Sequence, residues 1–253
     1  MREVLVFGGT TEGRELASWL ARRGRCHVTY LAATDLGRSM ASNDPRVEAL
    51  AGPLDEAGMR ALLASRDVTV VVDATHPYAT RITAGLARVT ADLGVGVIRV
   101  RRASVGLPGE ARMMADAHAC ARALDASEGP ILLTTGTHDL DAFCEAITDY
   151  QSRIFARILP TVSSLERAQA AGLDPSHIVC IQGPTSVEMN LATIHEFGIR
   201  HLVTKESGAV GGFPEKVEAA RRARIELWVI RRPADAGVSL QEARRLLEVR
   251  HGC

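Results

Sequence analysis

The chain has 253 residues, 46% of them hydrophobic, which sets one large or two small domains around a core that needs no disulfide or metal to fold. Lys+Arg and Asp+Glu are equal at 30 each, so no bulk charge recruits nucleic acid or an anionic membrane, and any anion site must be local. Cys26, Cys120, Cys144, Cys180 and Cys253 are scattered without CxxC spacing, and no apolar run approaches the ~18 residues of a membrane span; a soluble protein of the reduced cytoplasm is expected.

The first apolar run, EVLVFG, reads as a strand and leads through GGTTEGR into a helix where Leu16, Trp19 and Leu20 recur at i, i+3, i+4. CHVTYLA is the next strand and exits into ATDLGRS. Met59, Leu62 and Leu63 mark a further helix, VTVVVDA a strand, and Ile82, Leu86 and Val89 another helix, with Pro77 expected at its start. After VGVIRVR the segment ASVGLPGEARM loses periodicity and carries Gly106, Pro108 and Gly109, dividing the chain into domains of residues 1–102 and 103–253. The second part repeats the rhythm with PILLTT, RIFARIL, HIVCIQ, HLVTK and IELWVIR. Continuous apolar runs alternating with helices predict an α/β fold of two Rossmann-like domains, with mainly parallel sheets of about five strands each.

Ligands of such sheets bind outside the carboxyl ends of the strands, and the polar clusters fall there. GGTTEGR takes the place of a dinucleotide loop. Gly8 and Gly9 let the backbone approach a pyrophosphate, Thr10 or Thr11 caps the helix, and Glu12 suits its first turn. Arg14 in that turn opposes the helix dipole unless an anion is near. Beyond the second strand, Asp35 suits a ribose hydroxyl and Arg38 a 2′-phosphate, so NAD and NADP both stay open. In DATHPYA, His76 and Tyr78 can donate a proton or a hydrogen bond. Asp73 and His76 lack the further ligands of a metal site. In the second part TTGTHD offers Thr135, Gly136 and His138, and TKESGAVGG offers Ser207 and Lys205, which with Lys216 completes the lysines of this arginine-rich chain.

GGTTEGR, DATHPYA, LTTGTHDL, RILP, QGP with the following Asn190, TKESGAVGGFPEK and the late IRRP together resemble the precorrin-6A reductase family of cobalamin biosynthesis, including its cobalt-precorrin-6A counterpart, over nearly the whole chain. The resemblance implies a cleft between two Rossmann-like domains and NAD(P)H-dependent reduction of one C=C bond of a tetrapyrrole rich in carboxylates. It places the cofactor, NADPH ahead of NADH, on Gly8, Gly9, Thr10, Thr11, Glu12, Arg14, Thr34, Arg38, Thr75 and His76. His76 and Tyr78 are the candidate proton donors, with no single donor indispensable. Thr135, Gly136, His138, Arg157, Lys205, Ser207 and Lys216 would meet the substrate, the cations anchoring its carboxylates. No metal cofactor, nucleic acid or membrane partner is expected. The rival readings are a non-catalytic NADP-sensing module and a methyltransferase with another nucleotide at the same edge.

Overall fold

The computed structural model describes residues 2–41, 44–101, 106, 109–208 and 211–253. It divides into one unit of Met1–Ala103 with Pro233–Cys253 and a second of Ser104–Arg232. The units change over at residues 103 and 104, and the chain's last segment, expected with the second domain, lies in the first unit. Part of the aperiodic segment that marks the break, including Pro108, lies outside the described residues.

In the first unit β1 (Glu3–Phe7), β2 (His27–Ala32), β3 (Val47–Ala51), β4 (Val68–Asp73) and β5 (Gly96–Arg99) form a parallel sheet of order β3-β2-β1-β4-β5. Between them run α1 (Thr11–Arg23), the short α2 (Asp35–Ser39), α3 (Glu56–Ala64) and α4 (Thr80–Leu93). β1 and the latter half of β4 are buried on both faces, which is why, Glu3 and Asp73 apart, their sequences are apolar. β3 sits at an edge, only Val47 of it fully buried, so its sequence VEALA carries no such signal. Pro77 does not open α4. The helix starts at Thr80, and Pro77 lies in the turn before it.

The last segment completes this unit. Val238 pairs with Val100 in a parallel bridge, so the returning chain continues the sheet beyond the end of β5. α11 (Leu240–His251) then lays Ala243 and Leu247 into the core that holds Leu16 and Leu20, and Cys253 joins Cys26 in that core. At the amino end of the sheet Arg66 donates to Glu3 and Glu48 (2.7 Å each) and to Thr29 (2.9 Å), the shared cation of that acidic cluster.

The second unit has a parallel six-stranded sheet of order β6-β11-β10-β7-β8-β9. Its strands are β6 (Arg112–Met114), β7 (Ile131–Leu133), β8 (Ile154–Ile158), β9 (Ile178–Cys180), β10 (His201–Lys205) and β11 (Glu226–Ile230). The helices are α5 (Ala117–Asp125), α6 (Leu140–Ala146), α7 (Tyr150–Arg153), α8 (Val162–Ala170), α9 (Val187–Glu196) and α10 (Phe213–Ala223). β6 is a three-residue edge strand that sequence periodicity does not reveal. Both units are Rossmann-like, as expected, and no helix among the described residues is long and apolar enough to cross a membrane.

Candidate active site

In the first sheet the order reverses between β1 and β4, the switch point at which the loops leaving adjacent strands diverge and open a crevice. The two loops there are those of GGTTEGR and DATHPYA. Thr10 is the N-cap of α1: its Oγ1 accepts from Gly13 N (3.2 Å) and donates to Ala74 O (2.9 Å), tying the loops together. Gly9 has φ +134°, and a Cβ there would stand 3.7 Å from the His76 backbone nitrogen. The sequence order of the motifs thus becomes contact at one crevice.

Tyr30, which sequence reasoning did not select, shapes this loop. A Cβ on Gly8 would fall 2.0 Å from the Tyr30 ring, and Gly9 N donates to the Tyr30 hydroxyl at 3.1 Å. Burial raises the Tyr30 phenol above its ordinary range, with Gly9 N–H and Arg14 opposing the rise. Arg14 also donates to Thr11 Oγ1 (3.0 Å). The signal was in the sequence: a polar-tipped aromatic inside an apolar strand needs a partner for its hydroxyl.

These contacts alter the expected division of labour. Gly8 N bonds Leu31 O (2.8 Å), Gly9 N bonds Tyr30, and the Thr10 hydroxyl is engaged twice, so these groups hold the loop's shape. Gly13 N is taken by Thr10, so an anion at this helix start would meet the remaining first-turn N–H groups of α1. The glycine-lined loop, fixed at a helix start on the switch point, fits a pyrophosphate. Glu12 lies in the first turn, where the dipole favours a carboxylate.

DATHPYA is anchored by a buried ion network. Asp73, 2% exposed, accepts from Thr75 N (3.1 Å), Thr75 Oγ1 (2.7 Å) and Arg99 Nη1 (2.8 Å). Arg99 also donates to Asp235 of the returning segment (2.9 Å), whose other oxygen accepts from Gly237 N (2.8 Å). Burial pushes the Asp235 carboxyl up, but Arg99 and the Gly237 N–H outweigh it and hold the group below its ordinary range. Thr75 and Asp73 therefore build the loop's frame. His76 and Tyr78 stack with ring centroids 5.6 Å apart, and His76 Nδ1 accepts from Tyr78 N (3.4 Å), which puts the neutral ring's proton on Nε2. Arg99 and Asp235 were missed because their partnership spans 136 residues.

At the end of β2, Thr34 caps α2 by accepting from Gly37 N (3.0 Å), and Arg38 pairs with Asp35 at 2.9 Å on the surface. The two candidates for reading the ribose thus engage each other. A groove of about 530 Å³ begins at Thr11 and Arg14 and runs past Ser18, Arg22, Met40 and Arg244, three guanidiniums against the carboxylate of Glu15.

In the second unit the order reverses between β7 and β10. Lys205, at the end of β10, pairs with Asp139 of the loop after β7 at 2.7 Å. Gly136 turns that loop at φ +79°, and His138 is exposed beside Arg167 (3.1 Å). Ser207 donates to Gly211 O (3.2 Å). Arg157 lies within fully buried β8 and donates through Nη1 to Thr185 Oγ1 (2.8 Å) and Asn190 Oδ1 (2.7 Å). Burial lowers its guanidinium to about 10. Lys216 falls to about 8, by burial and then by Arg157, with Glu215 acting the other way. Thr135 Oγ1 is buried and meets no partner.

Residues 3–250 match the family model described as Precorrin-6x reductase CbiJ/CobK. The chain belongs to the precorrin-6x reductase family. It is 34% identical over 232 residues to a cobalt-precorrin-6A reductase of Methanothermobacter thermautotrophicus, covering 91% of this chain and 76% of that one. A cobalt-precorrin-6A reductase of Priestia megaterium is 32% identical, covering 91% and 90%. The solved structure titled CobK precorrin-6A reductase shares the fold with a TM-score of 0.75 at 24% identity, covering 98% of this chain and 96% of that one. Membership makes the chain an oxidoreductase of cobalamin biosynthesis that uses a nicotinamide cofactor and a precorrin substrate.

Proposed function

We propose that the chain reduces one C=C bond of precorrin-6A or its cobalt form with NADPH, binding the cofactor on the first unit and the macrocycle's carboxylates on the second. The observation that carries the cofactor assignment is the meeting of Gly9 with the His76 backbone at the switch point of a β3-β2-β1-β4-β5 sheet. The first-turn N–H groups of α1 hold the pyrophosphate, and Gly8 and Gly9, packed against Tyr30 and the His76 backbone, hold the loop in the shape that presents them. Arg14, Arg22 and Arg244 along the groove beside α1 favour a cofactor with an extra phosphate, and Arg38 stands close in sequence to Met40 of the same groove. Reduced nicotinamide, when bound, supplies the hydride.

His76 and Tyr78 lie on the loop beside the pyrophosphate-binding turn. Their stacked rings and the Asp73–Arg99 frame fix where His76 Nε2 presents its proton. A conjugated macrocycle can also take a proton from water or from its own carboxylic acids, so His76 assists without being indispensable. On the second unit, Thr135, Gly136, His138, Arg157, Lys205, Ser207 and Lys216 gather on and around the sheet edge that would meet an anionic tetrapyrrole.

The test is anaerobic oxidation of NADPH, followed by absorbance, with precorrin-6A and cobalt-precorrin-6A in turn and NADH as the control. Turnover of either macrocycle with NADPH preferred is expected. NADPH binding without reduction of either would overturn the substrate assignment, and equal use of NADH would overturn the cofactor choice. His76→Ala should lose less than about a thousandfold in kcat with cofactor affinity intact; a larger loss would make it the essential acid.

A further inference from the structure

The second unit buries one side of a guanidinium without a hydrogen-bond partner among the described residues. Arg157 is 8% exposed, and its Nη1 is satisfied by Thr185 and Asn190, yet Nε and Nη2 have no hydrogen-bond partner. Those two atoms form the side of a guanidinium that matches the two oxygens of a carboxylate. A buried cation is retained at considerable cost unless something opposes it. No carboxylate is bonded to it: Asn190 and Thr185 are neutral, and they hold the guanidinium at one corner so that its open side is fixed in direction.

Neighbouring groups point to the same kind of ligand. Thr135, on the loop after adjacent β7, has a buried hydroxyl without a partner. Arg157 disfavours the proton of Lys216 while the neighbouring Glu215 favours it, so this end of the site holds two cations against one carboxylate. The other candidate cations are already held, Lys205 by Asp139 (2.7 Å) and Arg232 by Glu206 (3.2 Å). Leu159, Val162 and Met189, in the stretches that follow β8 and β9, are 47%, 74% and 46% exposed.

We infer that the Nε–Nη2 side of Arg157 receives one peripheral carboxylate of the macrocycle, with Thr135 Oγ1 as a further donor and Lys216 as a second charge. This rests on the reductase reading and sharpens it, separating Arg157 from Lys205 as the residue that sets the position of the substrate.

The experiment compares the full-length wild type with Arg157→Gln, Arg157→Lys and Thr135→Val, measuring KM and kcat for whichever macrocycle is reduced, and Tm. Arg157→Gln should raise KM for the macrocycle roughly 30-fold or more. Its kcat should stay within about threefold, because ground-state and transition-state contacts are lost together. KM for the cofactor should not move, and Tm should be no lower, since an unopposed buried charge has been removed. Arg157→Lys, which keeps the charge but not the paired edge, should recover part of the loss. An Arg157→Gln enzyme with unaltered macrocycle KM, or with a lowered Tm that alone accounts for its defect, overturns the inference and leaves Arg157 a structural residue. Should the Arg157 variants fail to fold, Thr135→Val decides: a raised macrocycle KM at unchanged Tm supports the receptor, and an unchanged KM refutes it. A wild type that reduces neither macrocycle refutes the reductase reading first, and the receptor with it.

Discussion

Tyr30 explains why position 8 must be glycine. The loop needs no left-handed backbone there; the space of a Cβ is taken by the phenol ring. Gly8→Ala is therefore expected to cost on the order of 1–3 kcal/mol by overpacking and to weaken NADPH binding, read by urea unfolding and calorimetric titration. An alanine variant of wild-type stability would show that the ring moves freely. Lys216 supplies a prediction in pH. Its ammonium is pushed from the ordinary 10.5 to about 8 by burial and Arg157, so the unfolded chain binds more protons between those values. Stability must then rise with pH across that interval, and the burden of the charged lysine is fully present below pH 8. A bound carboxylate favours the charged form, so macrocycle KM should increase as pH passes through about 8, and Lys216→Met should flatten the profile. At this scale the sequence was partly legible. An arginine inside the apolar run RIFARIL and a carboxylate ending VTVVVD stand in strand sequences, but their partners lay 26 and more residues away and only the fold could pair them.

Among the elements, those buried on both faces were readable and those at sheet edges were not. β1, the latter half of β4 and β8 are buried along their length and are apolar but for Glu3, Asp73 and Arg157, whereas β3 and β6 are less buried and show VEALA and RMM. The loop after β4 is a further case. Its motif reads as chemistry, but much of DATHPYA serves as scaffold, because Asp73 and Thr75 lock onto Arg99 and so onto Asp235. Asp235→Asn should cost on the order of 1–3 kcal/mol at neutral pH, since Arg99 loses a buried partner. Because the Asp235 carboxyl titrates below its ordinary value, its contribution is present above pH ~4 and lost as pH falls through the lower folded value. The variant should accordingly lose part of the acid-side slope of stability, measured by thermal unfolding between pH 2 and 7. An unaltered slope would mean that the Asp235–Arg99 pair carries no net stabilisation.

For the molecule as a whole, the consequential feature is that the first unit is discontinuous in sequence. The apolar stripe of α11 is plain in LQEARRLLEV, but a stripe does not say which core receives it. The structure sends Ala243 and Leu247 to the first unit, where both are fully buried, and Gly237 passes so close to Arg99 that a Cβ would stand 2.8 Å from its carbonyl oxygen. A chain ending at residue 232 should lose the Asp235 anchor and uncover the core around Leu16 and Leu20. Burial of Leu247 alone accounts for roughly 1.5–3 kcal/mol. The truncated protein should consequently fail to bind NADPH while the second unit stays folded, a difference that amide hydrogen exchange resolves unit by unit. The converse is sharper. Arg2 donates to the His251 carbonyl at 2.6 Å, so the two ends of the chain are neighbours. Joining them by a short linker and opening the chain before Pro233 makes the first unit contiguous without changing its contacts. This permuted chain should bind NADPH within about threefold of the wild-type affinity, because termini that lie together tolerate permutation. Retained binding in the truncated chain would show that the returning segment is dispensable to the cofactor site. Loss in both would mean that the link between residues 232 and 233, not the packing of α11, holds the first unit in its binding form.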